Sequence, residues 1–237
     1  MKNCLQIVQS ICKRVGVVAP TSAVGSSDLQ IIQILELVNE EGKEQSTRYP
    51  WQALLNVGDY TTVATELQGE IETIAPGLDY IINDTIWNRS LRRPVFGPRT
   101  PQSWEQQKAF AINGPWSNYR IQQGGLNMYP VPEAGQDCYF EYVTKYWCTD
   151  VTGVTGREDF TVDTDVSLLL DELFVKGAIW RWKMIKGFDY SEDYAKYERQ
   201  LADTMSRDGG KDWLNLSNTR YDIYPGIVVP SGSWNIV

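Results

Sequence analysis

The chain has 237 residues, of which 42% are hydrophobic, 12% aromatic and 22% charged, a balance that excludes disordered and fibrous classes and allows a sizeable core. Twenty-two basic residues against thirty acidic ones give a net charge of -8, the wrong sign for a surface that grips phosphates. Histidine is absent, which excludes Ser/His/Asp and Cys/His nucleophile systems, HExxH metallohydrolases and imidazole zinc sites.

The first element is a helix from Asn3 to Arg14, in which Leu5, Val8, Ile11, Cys12 and Val15 recur at helical spacing and Gly16 with Pro20 supplies the stop. A polar linker leads to a second helix, capped by Ser26 or Ser27 with Asp28 in its first turn, which buries Ile31, Ile34, Leu35 and Val38 and runs to about Arg48 before Pro50. The period then changes. Leu54 to Ala64 and Tyr80 to Asn88 are rich in β-branched and aromatic residues between turn residues, so strands are expected there. Thr100 before Pro101 opens a short helix to about Ala111. Tyr119, Ile121, the Gly124-Gly125 turn, Leu126, Met128, a loop from Pro130 to Gly135 and the run Cys138 to Trp147 predict a three-stranded meander.

Helical period returns after a connection rich in Thr, Gly and Asp. Leu169, Leu173, Val175 or Lys176, Ile179, Trp180 and Met184 form one stripe closed by Gly187, and a charged helix follows from about Ser191 to Arg207 with Tyr194, Tyr197 or Glu198, Leu201 and Met205 inward. Helices at both ends with strands between predict an α+β fold: a helical bundle from residues 1–49 and 166–210, an inserted antiparallel β-rich domain at 50–165, and an extended C-terminal arm at 211–237. The arm carries Trp213, Tyr221, Tyr224 and Trp234 among Asn, Ser, Gly and Pro, including Pro225 and Pro230, and shows neither period. Rings on a proline-stiffened segment suit an arm that orders on a partner, and a closed bundle and sheet are expected to leave little apolar groove for it on its own subunit. No run approaches the roughly 20 apolar residues of a membrane span, and Met1 to Ser10 lacks a small-residue cleavage pattern, so manufacture in the cytosol is expected.

Few constellations carry chemistry. Cys4 and Cys12 are separated by about 12 Å along a helix, and Cys138 and Cys148 are expected at the ends of one strand about 33 Å long, so neither pair bonds within itself and packed thiols are expected. Asp163-Thr164-Asp165 has two-carboxylate spacing but reads as loop chemistry ahead of a helix. Arg89, Arg92, Arg93 and Arg99 form a basic cluster beside Trp87 and Phe96, either a meeting point for an acidic partner or a solvated strand face. No cofactor or metal set is expected, and the candidate partner-binding residues are Tyr221, Tyr224, Trp234, Arg89, Arg92 and Arg93.

Several segments together carry a resemblance: Trp51-Gln52-Ala53-Leu54, Asn83-Asp84-Thr85-Ile86-Trp87-Asn88-Arg89, Arg93-Pro94-Val95-Phe96-Gly97-Pro98, Phe140-Glu141-Tyr142-Val143, Ile179-Trp180-Arg181-Trp182-Lys183 and Gly187-Phe188-Asp189-Tyr190. Over about residues 1–210 the chain resembles the head-to-tail adaptor (connector) proteins of short-tailed bacteriophages. The resemblance implies a structural virion protein of the neck, a homo-oligomeric, twelve-subunit ring between portal protein and tail nozzle protein through whose lumen DNA passes without specific binding during genome ejection. An acidic lumen suits that passage, because like charge removes the wells in which a polyanion would dwell. The alternative from another class is a carboxylate-based polysaccharide hydrolase of a phage tail, using a pair such as Glu141 and Asp163.

Overall fold

The computed structural model describes residues 1–110, 114 and 116–209. Among them the chain is α+β, with six α-helices and three antiparallel sheets. Helix α1 (Cys4–Val15) starts where Asn3 and Gln6 satisfy each other: the Asn3 side chain accepts from the Gln6 N–H, and the Gln6 side chain accepts from the Asn3 N–H. It ends at Gly16, whose φ of 77° is open to glycine at little cost. Helix α2 (Leu29–Arg48) is capped by Asp28 and not by Ser26 or Ser27; the Asp28 carboxylate accepts from the Gln30 N–H while Ser26 Oγ accepts from Asp28 itself. The serine supports the capping residue one turn outside the helix.

A 3₁₀ turn (Gln52–Leu54) leads into β1 (Leu55–Thr61), followed by β2 (Leu67–Glu70), the short α3 (Ile71–Ile74), β3 (Leu78–Ile81), β4 (Trp87–Asn88) and β5 (Arg93–Pro94). The strand expected from Tyr80 to Asn88 is therefore two. Asp84 takes a left-handed backbone with φ of 62°, and the Thr85 N–H donates to the Ile82 carbonyl, so the chain turns where a strand would continue. After α4 (Pro101–Ala109), capped by Thr100 with proline at its start, come β6 (Asn118–Gln122), β7 (Gly125–Tyr129) and β8 (Asp137–Thr144). The last elements are β9 (Cys148–Thr149), β10 (Gly156–Arg157), β11 (Val166–Ser167), α5 (Asp171–Ile185) and α6 (Ser191–Arg207).

The expected meander is not formed. β6 and β7 make the hairpin, but the other edge of β7 is taken by β2, while β8 lies at the centre of a different sheet with β1 along one edge and β3 then β4 along the other. A Tyr129-to-Gln136 connection leaves the hairpin, and Thr62 fastens its far end through bonds to Glu133, Gly135 and Gln136. The run from Cys138 to Trp147 also breaks: β8 ends at Thr144, and Cys148 starts β9 in a third sheet with β10 and β11. All four cysteines are buried and unbonded.

Two apolar clusters result. One gathers α1, α2, α5 and α6 with Trp51, Leu54, Val143, Trp147 and Phe160; the other gathers Tyr60, Ile81, Ile86, Tyr119, Met128, Cys138, Phe140 and Tyr142 between the sheets. β8 reaches both, because successive side chains of a strand point to opposite faces: Tyr142 enters the second cluster and Val143 the first. Helix α5 is the hub of the first, packing on α1, α2 and α6. It is buried almost all round, contrary to a single stripe: Phe174, Ala178, Arg181 and Trp182 are inside, whereas Met184, expected inward, is exposed. On α6, Tyr197 and Leu201 are buried and Tyr194 is exposed.

The α2–α5 contact rests on two glycines. A Cβ on Gly177 would stand 2.2 Å from the Glu41 carboxyl, and one on Gly42 would stand 2.3 Å from the Trp147 indole. In the space so kept, Glu41 pairs with Arg181, both essentially fully buried, and Tyr197 Oη donates to Glu41 at 2.6 Å. Gln45 also donates to Glu41, and Arg181 reaches Glu44. Burial pulls the Arg181 pKa down, against which the surrounding anions push it back up, and burial pushes the Tyr197 hydroxyl up to about 12.

Removing one partner strands a buried charge at a cost of about 3–5 kcal/mol. Arg181→Met is accordingly expected to lose stability of that order in urea titration, and adding Glu41→Gln to it should restore part of the loss. If the double variant were less stable than Arg181→Met alone, the buried carboxylate would not be the source of the penalty.

Candidate functional site

The surface feature with the most chemistry is the crease between the β1–β8 sheet and the β6–β7 sheet. Three hollows share walls there: Asp84 belongs to the first, which is lined only from the β1–β8 sheet and the turn before β4, and to the second, and Pro98 belongs to the second and third. The first, about 340 Å³, is walled by Asp84, Trp87, Arg89, Tyr139 and Glu141. The second, about 500 Å³, sets Arg99 and Asn118 opposite Phe96 and Trp116, whose rings meet edge to face at 5.8 Å. The third, about 540 Å³, is mostly apolar, with Leu78, Tyr80, Ile81, Pro98 and Ile121 around it and Pro50 at one end.

The local sequence explains the crease. The turn at Ile82 to Thr85 moves the chain from one half of β8 to the other, so β3 pairs with Tyr142 and Val143 while β4 pairs with Cys138 and Tyr139. Past β5, the segment Phe96–Arg99 runs beside β6, the Phe96 N–H donating to the Ser117 carbonyl, the Tyr119 N–H to the Phe96 carbonyl, and the Arg99 N–H to the Tyr119 carbonyl at 3.0 Å. The two sheets are thus stitched along one seam, and the hollows lie on either side of it. Tyr119 is buried in the seam, where desolvation foremost and Asp84 in addition push its hydroxyl up to about 12. Its Oη has no hydrogen-bond partner among the described residues.

The arginine cluster divides. Arg89, Arg92 and Arg93 stay together on the β4–β5 hairpin, all exposed, with Arg92 in the turn at φ of 55°. Arg89 lies over the Tyr139 ring, 3.6 Å from its centroid, a cation–π contact in the first hollow. Arg99 belongs to the seam, donating through Nε and Nη2 to Asn118 Oδ1 at 2.8 and 2.6 Å. Tyr221, Tyr224 and Trp234 lie outside the described residues.

Glu141 and Asp163 serve different parts of the molecule. Glu141 walls the first hollow, whereas Asp163 clasps the α1–α2 linker, accepting from Ser22 Oγ at 2.6 Å and from the N–H groups of Ala23 and Val24 at 2.9 and 2.8 Å. Asp165, buried, accepts from the N–H groups of Thr161 and Val162 and pairs with Arg157. The Asp163-Thr164-Asp165 motif is loop chemistry, as its spacing ahead of a helix suggests. What sequence reasoning missed is the reach of Asp163 across the chain to residues 22–24, which no local pattern signals. The seam was also missed, although Asn83-Asp84-Thr85 is a turn signal inside an apparent strand.

Among the described residues no group of three or more Cys, Asp or Glu side chains is placed to hold a metal ion, and no helix is long and apolar enough to cross a membrane. Compared with known protein families and with curated proteins, the chain matches none.

Two outcomes are expected. Chelation by EDTA should leave the melting temperature unchanged; a shift of several degrees would reveal a bound cation. Burial works against ionisation of both Asp163 and Asp165, yet their hydrogen bonds outweigh it and hold each carboxyl below the usual range. A depressed folded pKa adds stability above the unfolded value of about 3.9 that disappears as pH falls through the folded one. Urea stability should therefore drop below about pH 4, and the drop should be shallower in Asp165→Asn; an identical acid limb in the variant would remove Asp165 from the account.

Proposed function

We propose that this chain is a structural subunit of a bacteriophage neck: a head-to-tail adaptor that joins copies of itself into a ring between portal and tail nozzle, with DNA leaving through the lumen. The observation that carries this reading is where the segments of the resemblance lie in the fold. Phe140–Val143 is the middle of the central strand, Ile179–Lys183 lies in the second half of the hub helix with Ile179, Arg181 and Trp182 buried, and Asn83–Arg89 with Arg93–Pro98 builds the hairpin and the seam. These are framework positions, so the likeness supports a shared architecture more than a shared catalytic motif.

Exposed apolar side chains favour a subunit made for repeated contacts. On the helical part Leu29 is 80% exposed, Phe188 64% and Ile185 49%; on the sheet part Val57 is 61% exposed and Leu91 48%. Lys186, just past α5, donates to the Gln33 side chain of α2 at 3.0 Å and so ties the turn after α5 to the first half of α2. A ring that closes by rotation needs two different faces on every subunit, and apolar residues on both parts of the molecule supply them. The net charge of -8 fits a lumen past which DNA slides. In this reading the protein carries out no hydrolysis, and Glu141 and Asp163 have structural surroundings.

The test is assembly. Mixed with a portal ring, the protein should form a ring-on-ring complex detectable by light scattering and electron microscopy, whether or not it is a monomer alone. Unbound monomers under conditions where the virion neck is stable would overturn the adaptor reading, and cleavage of a polysaccharide that is lost in Glu141→Gln would replace it with the hydrolase.

A further inference from the structure

Two exposed surfaces of the chain carry one pattern with opposite charge. On α2, Leu29, Ile32, Glu36 and Glu40 are all exposed, and steps of three and four residues return to the same side of a helix, so they share one outward face. The face is apolar at its start and acidic beyond. Glu44, further along the helix, is engaged by Arg48 and Arg181, whereas Glu36 and Glu40 have no ion pair among the described residues. On the sheet part, the β4–β5 hairpin turns through Arg89-Ser90-Leu91-Arg92, with Leu91 exposed between the two arginines. Arg92, set in the turn at φ of 55°, likewise has no ion pair among the described residues.

We propose that the hairpin tip of one subunit docks on the outer face of α2 of a second copy, Leu91 against Leu29 and Ile32 and Arg92 beside Glu36. Charge complementarity selects the occupant. Glu36 and Glu40 are like charges at a spacing where they repel, and an arginine from outside relieves that repulsion. Spacing agrees with it. Ile32 and Glu36 are about 6 Å apart along the helix axis, and neighbouring Cα atoms of the hairpin about 3.8 Å apart, so Leu91 over Ile32 leaves the long Arg92 side chain within reach of Glu36. A nucleic acid is the poorer occupant, because a chain of net charge -8 repels phosphates beyond the few contacts one hairpin offers. The surface offered differs from the surface accepted, as a closing ring requires. The inference rests on the ring reading only in taking the occupant to be a second copy.

The experiment is sedimentation velocity of the full chain alone, at rising concentration and two salt levels. The unaltered protein is expected to associate, and less so at high salt. Arg92→Glu makes the net charge of -8 more negative by two units and Glu36→Arg makes it less negative by two. General repulsion would therefore weaken association in the first variant and strengthen it in the second. Direct pairing instead raises the dissociation constant in both, by about fivefold, and the double variant, with its pair reversed and its net charge unchanged, returns to within about twofold of the unaltered protein. Circular dichroism checks that each variant keeps its fold. Opposite effects in the two variants, no effect in either, or no association of the unaltered protein would overturn the contact. So would retention of DNA that Arg92→Glu abolishes while self-association stays the same. Failure to join a portal ring would sink the adaptor reading and leave this contact standing, since it is measured without portal.

Discussion

The buried pair of Glu41 and Arg181 fixes how α2 lies on α5, and most of the molecule is arranged around that contact. Such a pair is weak as a source of stability, since removing two charges from water offsets much of what their attraction returns. Its consequence is register. Glu41 takes donors from Arg181, Gln45 and Tyr197 at once, and a slide of one residue along either helix would leave a carboxylate inside without them. Gly177 and Gly42 make the constraint sharper, because the first admits the carboxylate and the second admits the Trp147 indole at distances where any Cβ would collide. Tyr197 extends the arrangement to α6, which Arg48 on α2 holds again through a two-pronged pair with Glu198 at 2.9 and 2.6 Å.

Trp147 carries the arrangement from the helices to the sheets. Its ring meets Phe160 at 4.8 Å and Phe174 of α5 at 5.2 Å, and its indole N–H donates to the Glu158 carbonyl. Three residues earlier β8 ends, so the central strand of the main sheet is anchored directly into the helical core. Because β8 accepts β1 on one side and two successive short strands on the other, the chain has to step sideways between β3 and β4. That step produces the turn at Asp84, and the turn is what places a wall between neighbouring hollows. The crease is in this sense a by-product of how the central strand is partnered.

What was legible in the sequence follows from the range of each interaction. Thr100 before Pro101, Gly16 and Gly187 act within one turn of backbone, and the helices they bound lie close to where their spacing predicts. The order of strands was legible only as far as the Gly124-Gly125 hairpin, whose pairing is local; β8 was misplaced because its partners are set by which edges β2 and β1 occupy, and periodicity along one segment carries no information about that. Arg181 stands within an apolar helix, and its burial depends on a carboxylate from α2, far off in the sequence. The crease was illegible for the same reason: Tyr80, Pro98 and Ile121 come together only once the seam of Phe96 to Arg99 beside β6 has formed. Arg99 likewise grouped by sequence with Arg89, Arg92 and Arg93, and by structure with Asn118.

The two kinds of exposed surface ask for different partners. At the helical end, Ile185 and Phe188 stand on a convex turn closed by Gly187, a shape that inserts into something else and buries little when left alone. Along the crease, the apolar side chains of Ile81 and Ile121 stand on concave ground, a shape that receives. An exposed apolar turn and a recessed apolar hollow are unlike surfaces, so contacts made through them would be heterologous and not isologous.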